Sequence, residues 1–543
     1  MRSSEEQELY ALLREEAPSD RERSEFIEHI RVVANMGRAE LTEFDKRREL
    51  FDIVRVKLGS KGEFFRTSNG APYYFLRSER RVLNLHHSDF GNFLKQLSGL
   101  SETEHYYKFI VDRLKADVSE TAPRAEVHAM AHFDVDSNRH IISDGAGGTW
   151  WRDRGGKWQS GYNGQDNIYF ATEPDAESFY PDTSCADEEN LKWFLQLFLL
   201  EDLGGSQDLT KPEMHLLLKI WLVQQLFPVF RKTRIIPTFL GPQGSGKTTA
   251  VKLLGKLLVG AQFEVTGVQE NKEDNFVASV SNRTVVGLDN ADSRVRWLAD
   301  ALARYATGQR FQIRKLYSNN EEVTFAVRAV LLITSRDPHF NRADVAERLL
   351  PLTFSRPSEY VDEAEIFDEL RTRRNPIWGE LLNISAALVD KLDLTRKMRF
   401  RFRMADYAVC GSRILGEDRN NEWKDILHKL TKAQSQFATE GDSITTALHV
   451  LLIEENGIIG PISTGELFAR LGPIAGRLRL WFPETANGFG RMLINIKTAA
   501  ETELDADIMI TSRTTDGKRM VTIRKRGRLK MLETTQNTQN KGF

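Results

Sequence analysis

Gly241-Pro242-Gln243-Gly244-Ser245-Gly246-Lys247-Thr248 is the stretch whose reading decides the fold of this chain. An apolar run, Ile235-Ile236-Pro237-Thr238-Phe239-Leu240, leads into it. Thr249-Ala250-Val251-Lys252-Leu253-Leu254 follows, and Leu257 and Leu258 continue its helical spacing. The order is strand, glycine loop, helix, and the spacing fits G-x-x-x-x-G-K-[ST]. Such glycines let backbone N–H groups turn inward around phosphate oxygens. The helix N-terminus adds the positive end of its dipole. Gly241, Gln243, Gly244, Ser245, Gly246, Lys247, Thr248 and Thr249 are therefore the expected nucleotide contacts. Lys247 reaches toward the β- and γ-phosphates, and Thr248 offers its hydroxyl to Mg²⁺. ATP with Mg²⁺ is the ligand pair this predicts. The bland alternative is a tight strand-to-helix turn that binds nothing.

A chain of 543 residues is too long for one core, so three or four domains are expected. Charged residues at 28% and hydrophobic residues at 41% fit a soluble globular protein. The net charge of −2 excludes a polycation, so any grip on nucleic acid must come from local patches. The two cysteines, Cys185 and Cys410, exclude a thiolate zinc site and favour a reducing, cytoplasmic compartment. Met1–Glu6 has no apolar signal core. The best uncharged apolar run, Trp193–Leu200, is far too short to span a bilayer, so no membrane partner is expected.

Taken in order, residues 1–60 read as an acidic helical N-terminus, with 9 cations against 13 acids in the first 50 positions. That balance favours a partner surface or a solvated face over DNA. Residues 61–185 read as an α+β domain. It has short strands such as Tyr73–Leu76, helices at Phe90–Leu97 and His105–Leu114, and a small antiparallel sheet across 125–170. Asp134-Val135-Asp136 has the form of a metal-holding pair, but no second acidic motif or basic triad accompanies it. A solvent-facing strand that ends in a turn is the better reading. Residues 186–231 read as a helical collar, with helices at Leu191–Leu200 and His215–Phe227.

Residues 232–360 form the expected nucleotide core. Thr284-Val285-Val286-Gly287-Leu288-Asp289-Asn290 is a buried strand ending in a carboxylate, and Asp289 there can hold the Mg²⁺ water shell. The next position, where an acid activates the attacking water, is Asn290, which can orient water but not deprotonate it. A third apolar strand, Val327–Ile333, ends in Thr334-Ser335-Arg336, between the other two strand ends. Asp344-Val345-Ala346-Glu347-Arg348 supplies an arginine. Arg348, projecting at a subunit boundary, would reach a neighbour's γ-phosphate, with Arg342 competing for the role and a salt bridge to Glu347 or Asp344 as the alternative. Residues 310–325 read as a hairpin whose Arg314, Lys315 and Tyr317 suit a phosphate backbone and a stacked base.

Asp289-Asn290-Ala291-Asp292, Ala306-Thr307-Gly308, Ile313–Tyr317, Thr334-Ser335-Arg336 and Asp344–Arg348 occur in an order that resembles the AAA+ ATPases of helicase superfamily 3. The nearest likeness is to phage, plasmid and poxvirus primase-helicases, over roughly residues 190–410. The resemblance implies a homo-hexameric ring around single-stranded DNA. It casts Lys247 and Thr248 as the phosphate-loop pair, Asp289 as the metal carboxylate, Thr334 or Ser335 as the sensor and Arg348 as the arginine finger. The sensor in that family is usually asparagine. No primase catalytic domain is evident.

Residues 361–440 read as a helical lid and linker. Within it, Arg396–Tyr407 alternates cations and aromatics, which suits either DNA contact or packing. Residues 441–530 read as a winged helix. Ser463-x-x-Glu466 caps its second helix, and its third, Asn487–Glu501, offers Arg491, Asn495 and Lys497 to a groove. The wing hairpin spans Ile508–Arg524 and includes Lys518 and Arg519. Residues 511–530 carry eight cations and one acid, which localises the duplex contact. Residues 531–543 read as a disordered tail. The expected whole is a multidomain α/β protein: a helical and small β N-terminal region, a P-loop AAA+ α/β core and a C-terminal winged helix. The expected function is an ATP-driven DNA helicase or translocase of a phage or mobile-element replication system, with replication proteins as further partners. The alternative is a DNA-binding AAA+ switch in replication initiation or phage defence, without unwinding.

Overall fold

The structure is a computed structural model that describes residues 20–37, 39–173, 175–185, 187–201, 208–269, 272–291, 295, 297–309, 311–314, 322–325, 327–335, 342–439, 443–478, 480, 482–483, 485–511 and 519–526. It divides into two compact units. One holds the described residues up to Tyr180 with Leu258–Gln262 and Asn282–Thr284; the other holds the rest.

In the first unit, helices α1 (Asp20–Asn35) and α2 (Glu43–Lys61) precede a three-stranded antiparallel sheet. Thr42 caps α2, its hydroxyl accepting from the Asp45 N–H at 3.2 Å. The sheet is β1 (Gly62–Arg66), β2 (Pro72–Leu76) and β3 (Arg81–Asn84), with β2 in the middle and every β2 residue buried. Helices α3 (Ser88–Ser98) and α4 (His105–Thr121) complete the layer. One apolar cluster joins Ile30, Leu50 and Leu58 to Tyr74, Phe90 and Leu114. The boundary expected at residue 60 therefore falls inside a single core, and α2 passes into β1 with no linker. The acidic residues of α1 and α2 from Glu22 to Asp52 are exposed.

The rest of this unit is β4 (Val127–His128), β5 (Ala131–Asp134), β6 (Arg139–Ser143), β7 (Gly148–Asp153), β8 (Gln159–Tyr162) and β9 (Tyr169–Phe170). Strands β5 to β8 make an antiparallel meander in chain order, and β4 pairs with β9 in parallel. Asp134 closes the β5–β6 turn. Its carboxylate accepts from the Asp136 N–H at 3.1 Å and the Ser137 hydroxyl at 2.5 Å. Those bonds occupy it as a turn residue, and among the described residues no cluster of His, Cys, Asp and Glu could hold a metal ion.

The second unit begins with α5 (Glu189–Gln196) and α6 (Lys211–Gln225), the latter started by a capping box between Thr210 and Glu213. Then come β10 (Ile236–Leu240), α7 (Lys247–Leu258), β11 (Thr266–Gly267), α8 (Glu273–Asn282), β12 (Val285–Asp289) and α9 (Leu298–Ala306). A hairpin follows, β13 (Phe311–Arg314) and β14 (Glu322–Phe325), then β15 (Val330–Ser335), α10 (Ala343–Ala346) and β16 (Leu349–Thr353). Five strands form a wholly parallel sheet in the order β11-β12-β15-β10-β16. Both faces of such a sheet are covered, so its strands read as unbroken apolar runs. Every residue of β10 and β15 is buried accordingly. Pro237 is tolerated in β10 because pairing with β15 starts only at Thr238.

Helices α11 (Glu363–Lys391), α12 (Ala405–Leu415) and α13 (Asn420–Thr439) follow. The chain ends its described part in α14 (Ser443–Glu454), β17 (Ile458–Ser463), α15 (Thr464–Arg477), α16 (Ala486–Glu503), β18 (Ala506–Ile510) and β19 (Met520–Lys525). Three helices and an antiparallel sheet with β19 at its centre enclose a separate core of Ile444, Leu448, Leu467, Phe489 and Ile523. The turn expected between the last two strands lies outside the described residues.

Candidate functional site

The glycine loop emerges from the buried end of β10 and closes at the first residue of α7. Gly241 (φ 142°) and Gly244 (φ 78°) take conformations that side chains rarely adopt. A Cβ at Gly241 would also collide with the Phe354 carbonyl. The loop is therefore possible only with glycine at these points. Lys247 lies along it, its Nζ donating to the carbonyls of Gly241 at 2.6 Å and Pro242 at 2.8 Å.

Strand order places β15 between β10 and β12, so the ends of all three converge on one edge. Asp289, the last residue of β12, is the meeting point. Its Oδ1 accepts from the Thr248 hydroxyl at 2.9 Å and from the Thr334 hydroxyl at 2.6 Å. The Asn290 N–H donates to Thr334 Oγ1 at 2.9 Å, which fixes the rotor between them. Thus Lys247, Thr248, Asp289, Asn290 and Thr334, up to 87 positions apart in the numbering of the chain, form one constellation. Thr334 and Ser335 end the third strand, as the sequence suggests. They are the final, buried residues of β15, held there by the pairing of Ser335 with Leu240.

The arginines depart from expectation. Arg348 does not project: its side chain is 9% exposed. Its guanidinium donates to the Asp344 carbonyl and, at 3.3 Å, to the Asp344 carboxylate. Gln434 of α13 closes over the same turn, donating to the carbonyls of Glu347 and Leu349. Burial pushes the Arg348 guanidinium below its ordinary range. Arg342 is the outward one, with a side chain 47% exposed. Hydrogen bonds to Asp344 and Asp300 hold it in place and hold its pKa above the ordinary value.

Of the expected DNA contacts, Arg314 stands opposite Glu322 in the β13–β14 register. Lys315, Tyr317 and Lys518, and the side chains of Arg491 and Asn495, lie outside the described residues. Lys497 pairs with Glu501 at 3.7 Å, and Arg519 is half-buried, its carbonyl accepting from Thr464. The basic stretch before α12 is folded onto its own chain. Arg396 pairs with Glu417, Arg403 pairs with Glu347, and Phe402 and Met404 are buried.

Three residues that sequence reading did not single out also approach the loop. Arg356 donates from Nη2 to the Gln243 carbonyl at 3.0 Å. Tyr360 lies beside Gly244, and Glu363 accepts from the Thr249 hydroxyl. Their only sequence signal is position: they follow β16, the strand neighbouring β10.

With this geometry in view, the likenesses to known proteins fall into place. Residues 202–416 match the family described as actinomycete integrative conjugative element replication proteins, a span that includes the glycine loop, Asp289 and Thr334 but less than half of the chain. The apo C-terminal region of NrS-1 is 13% identical, covering 86% of this chain and 98% of that one, with a TM-score of 0.36. The active helicase Cch of SCCmec type IV is 12% identical, covering 85% and 93%, with a TM-score of 0.38. JCV helicase is 15% identical, covering 46% and 71%, with a TM-score of 0.18. Scores this low do not establish a shared fold. No curated protein matches the chain. No helix among the described residues is long and apolar enough to cross a membrane.

Proposed function

We propose that this chain is an ATP-dependent DNA helicase or translocase serving the replication of a mobile element, a ring-forming AAA+ ATPase of the superfamily 3 type. One observation carries the reading. A single carboxylate, Asp289, collects the hydroxyls of Thr248 and Thr334 at the strand ends beside a glycine loop that holds Lys247. Ligands of open parallel sheets bind at that edge. The match of residues 202–416 to replication proteins of conjugative elements supports the biological setting.

In this reading the loop amides and the α7 N-terminus hold the phosphates of ATP, and Lys247 turns from the loop carbonyls to the β- and γ-phosphates. The donor set suits Mg²⁺, which takes oxygen ligands and is commonly held by one or two carboxylates together with substrate phosphates. Thr248 and Asp289 would hold it, directly or through water. When bound it neutralises charge on the phosphate oxygens. Thr334 keeps Asp289 oriented. Arg342, rather than Arg348, has the exposure to reach a neighbouring subunit's nucleotide. The β13–β14 hairpin would grip one DNA strand, and the C-terminal module, read as a winged helix, would carry the duplex contact through its basic 511–530 segment.

The test is DNA-stimulated ATP hydrolysis together with displacement of a strand from a forked duplex. Wild type should show both, and Lys247→Ala should show neither. The identity of Asn290 favours a second reading, a DNA-bound switch whose hydrolysis is slow. Turnover with assembly on DNA but no strand displacement would assign the chain to that class and overturn the helicase reading.

A further inference from the structure

We propose that Arg356 contacts the terminal phosphate of the nucleotide from within the same subunit, so that the site distinguishes a nucleoside triphosphate from a diphosphate through a cation outside the glycine loop. The proposal rests on the nucleotide reading of Gly241–Thr248.

The segment that joins β16 to α11 is tied to the loop at both ends. At one end the Phe354 N–H donates to the Leu240 carbonyl at 2.7 Å, which fixes the chain against the last residue of β10. At the other the Thr249 hydroxyl, in the first turn of α7, donates to the Glu363 carboxylate. Arg356 lies between these ties, its Nη2 donating to the Gln243 carbonyl at 3.0 Å. A Cβ placed on Gly244 would lie 3.7 Å from both Nε and Nη2 of Arg356 and 3.0 Å from Tyr360 Oη. The guanidinium thus lies along the backbone of Gln243 and Gly244.

Lys247 marks which phosphates are near. In such loops the lysine serves the β- and γ-phosphates, and here its Nζ sits on the carbonyls of Gly241 and Pro242. Arg356 holds the next carbonyl along, that of Gln243. A guanidinium is a planar fork of five donors and matches phosphate in a two-point contact that an ammonium cannot make. A diphosphate is already served by the loop amides and the α7 N-terminus; only a third phosphate would reach Arg356.

The experiment compares binding of a non-hydrolysable ATP analogue and of ADP to the full chain, as wild type, Arg356→Ala, Arg356→Lys and Lys247→Ala. For Arg356→Ala the triphosphate affinity should fall about tenfold or more, as for loss of a charge-assisted contact, while ADP affinity stays within about twofold. Arg356→Lys should recover part of the loss. Arg356 is exposed, so the melting temperature without nucleotide should not move. Equal loss for both nucleotides, or loss for neither, overturns the role of Arg356 and leaves the nucleotide site standing. Wild type that binds neither nucleotide overturns both readings together.

Discussion

At Asn290 the backbone takes φ 51°, the left-handed region that asparagine enters more readily than other residues with a side chain. That turn is what aims the Asn290 N–H at Thr334 Oγ1. The missing acid therefore has a local cause: a glutamate here would have to adopt a disfavoured conformation or give up the hydrogen bond. Asn290→Glu should lower stability by about 1 kcal/mol without raising turnover, and Asn290→Gly should stay within a few tenths of that of wild type. Denaturant midpoints alongside ATPase rates check this, and an Asn290→Glu protein of unchanged stability would refute the strain account. Asp289 allows a cleaner separation of binding from chemistry. Asp289→Asn keeps an oxygen for the two hydroxyls but removes the charge, so Mg²⁺-dependent hydrolysis should fall at least about 100-fold. Nucleotide binding measured in EDTA should persist; if it is lost too, Asp289 is holding the loop and not the metal. The sequence exposed these residues because glycine spacing and apolar runs are local signals. It could not show that Arg348 is buried, because the turn that carries it is held by Gln434 of a distant helix, α13, through the carbonyls of Glu347 and Leu349.

Elements show the same division. The strands of the parallel sheet were legible as unbroken apolar runs, with β10 ending at Leu240 and β12 at Asp289 as read, but β15 runs Val330–Ser335 where Val327–Ile333 was expected. Helix ends were less legible. α5 was expected to reach Leu200 and stops at Gln196, because Leu200 leaves the helix to bridge Phe354 beside the sheet. Its start is also fixed from afar. Glu380, 1% exposed on α11, accepts from the N–H groups of Asn190 at 3.1 Å and Leu191 at 2.6 Å, two donors that the first turn of a helix leaves unserved. No local pattern in the sequence pairs residues 190 apart. Glu380→Ala should therefore destabilise the second unit by about 2 kcal/mol through the uncapped, buried helix start. Chemical denaturation measures it, and a loss below about 0.5 kcal/mol would mean that solvent caps α5 instead. The β13–β14 hairpin carries the opposite kind of prediction, a change in function at constant fold. Arg314→Ala with Lys315→Ala should reduce DNA-stimulated turnover while leaving basal turnover intact, and should flatten the salt dependence of DNA binding. An undiminished response to DNA would remove the hairpin from the interface.

For the molecule as a whole, the question is whether the site belongs to one chain or to two. Within a single chain the loop, Asp289 and Thr334 are assembled, and the exposed Arg342 pairs with Asp300 and Asp344. In a ring built from head-to-tail contacts, the surface carrying Arg342 on one subunit would meet the loop edge of the next. This arrangement makes two inactive variants complementary. Lys247→Ala spoils a subunit's own loop but leaves its Arg342; Arg342→Ala spoils the arginine but leaves the loop. In rings mixed at random in equal parts, about a quarter of the interfaces combine an intact loop with an intact neighbouring arginine. Each variant alone should be inactive, and the mixture should recover up to about a quarter of wild-type hydrolysis. Arg348→Ala is the comparison, since its side chain is enclosed in its own subunit. Its effect should be lower stability with hydrolysis per folded subunit retained, so mixing with Lys247→Ala should add nothing beyond what its own intact loops supply. If the Arg342→Ala mixture also stays inactive at every ratio and concentration, hydrolysis is completed within one chain, and the ring can matter only for holding DNA.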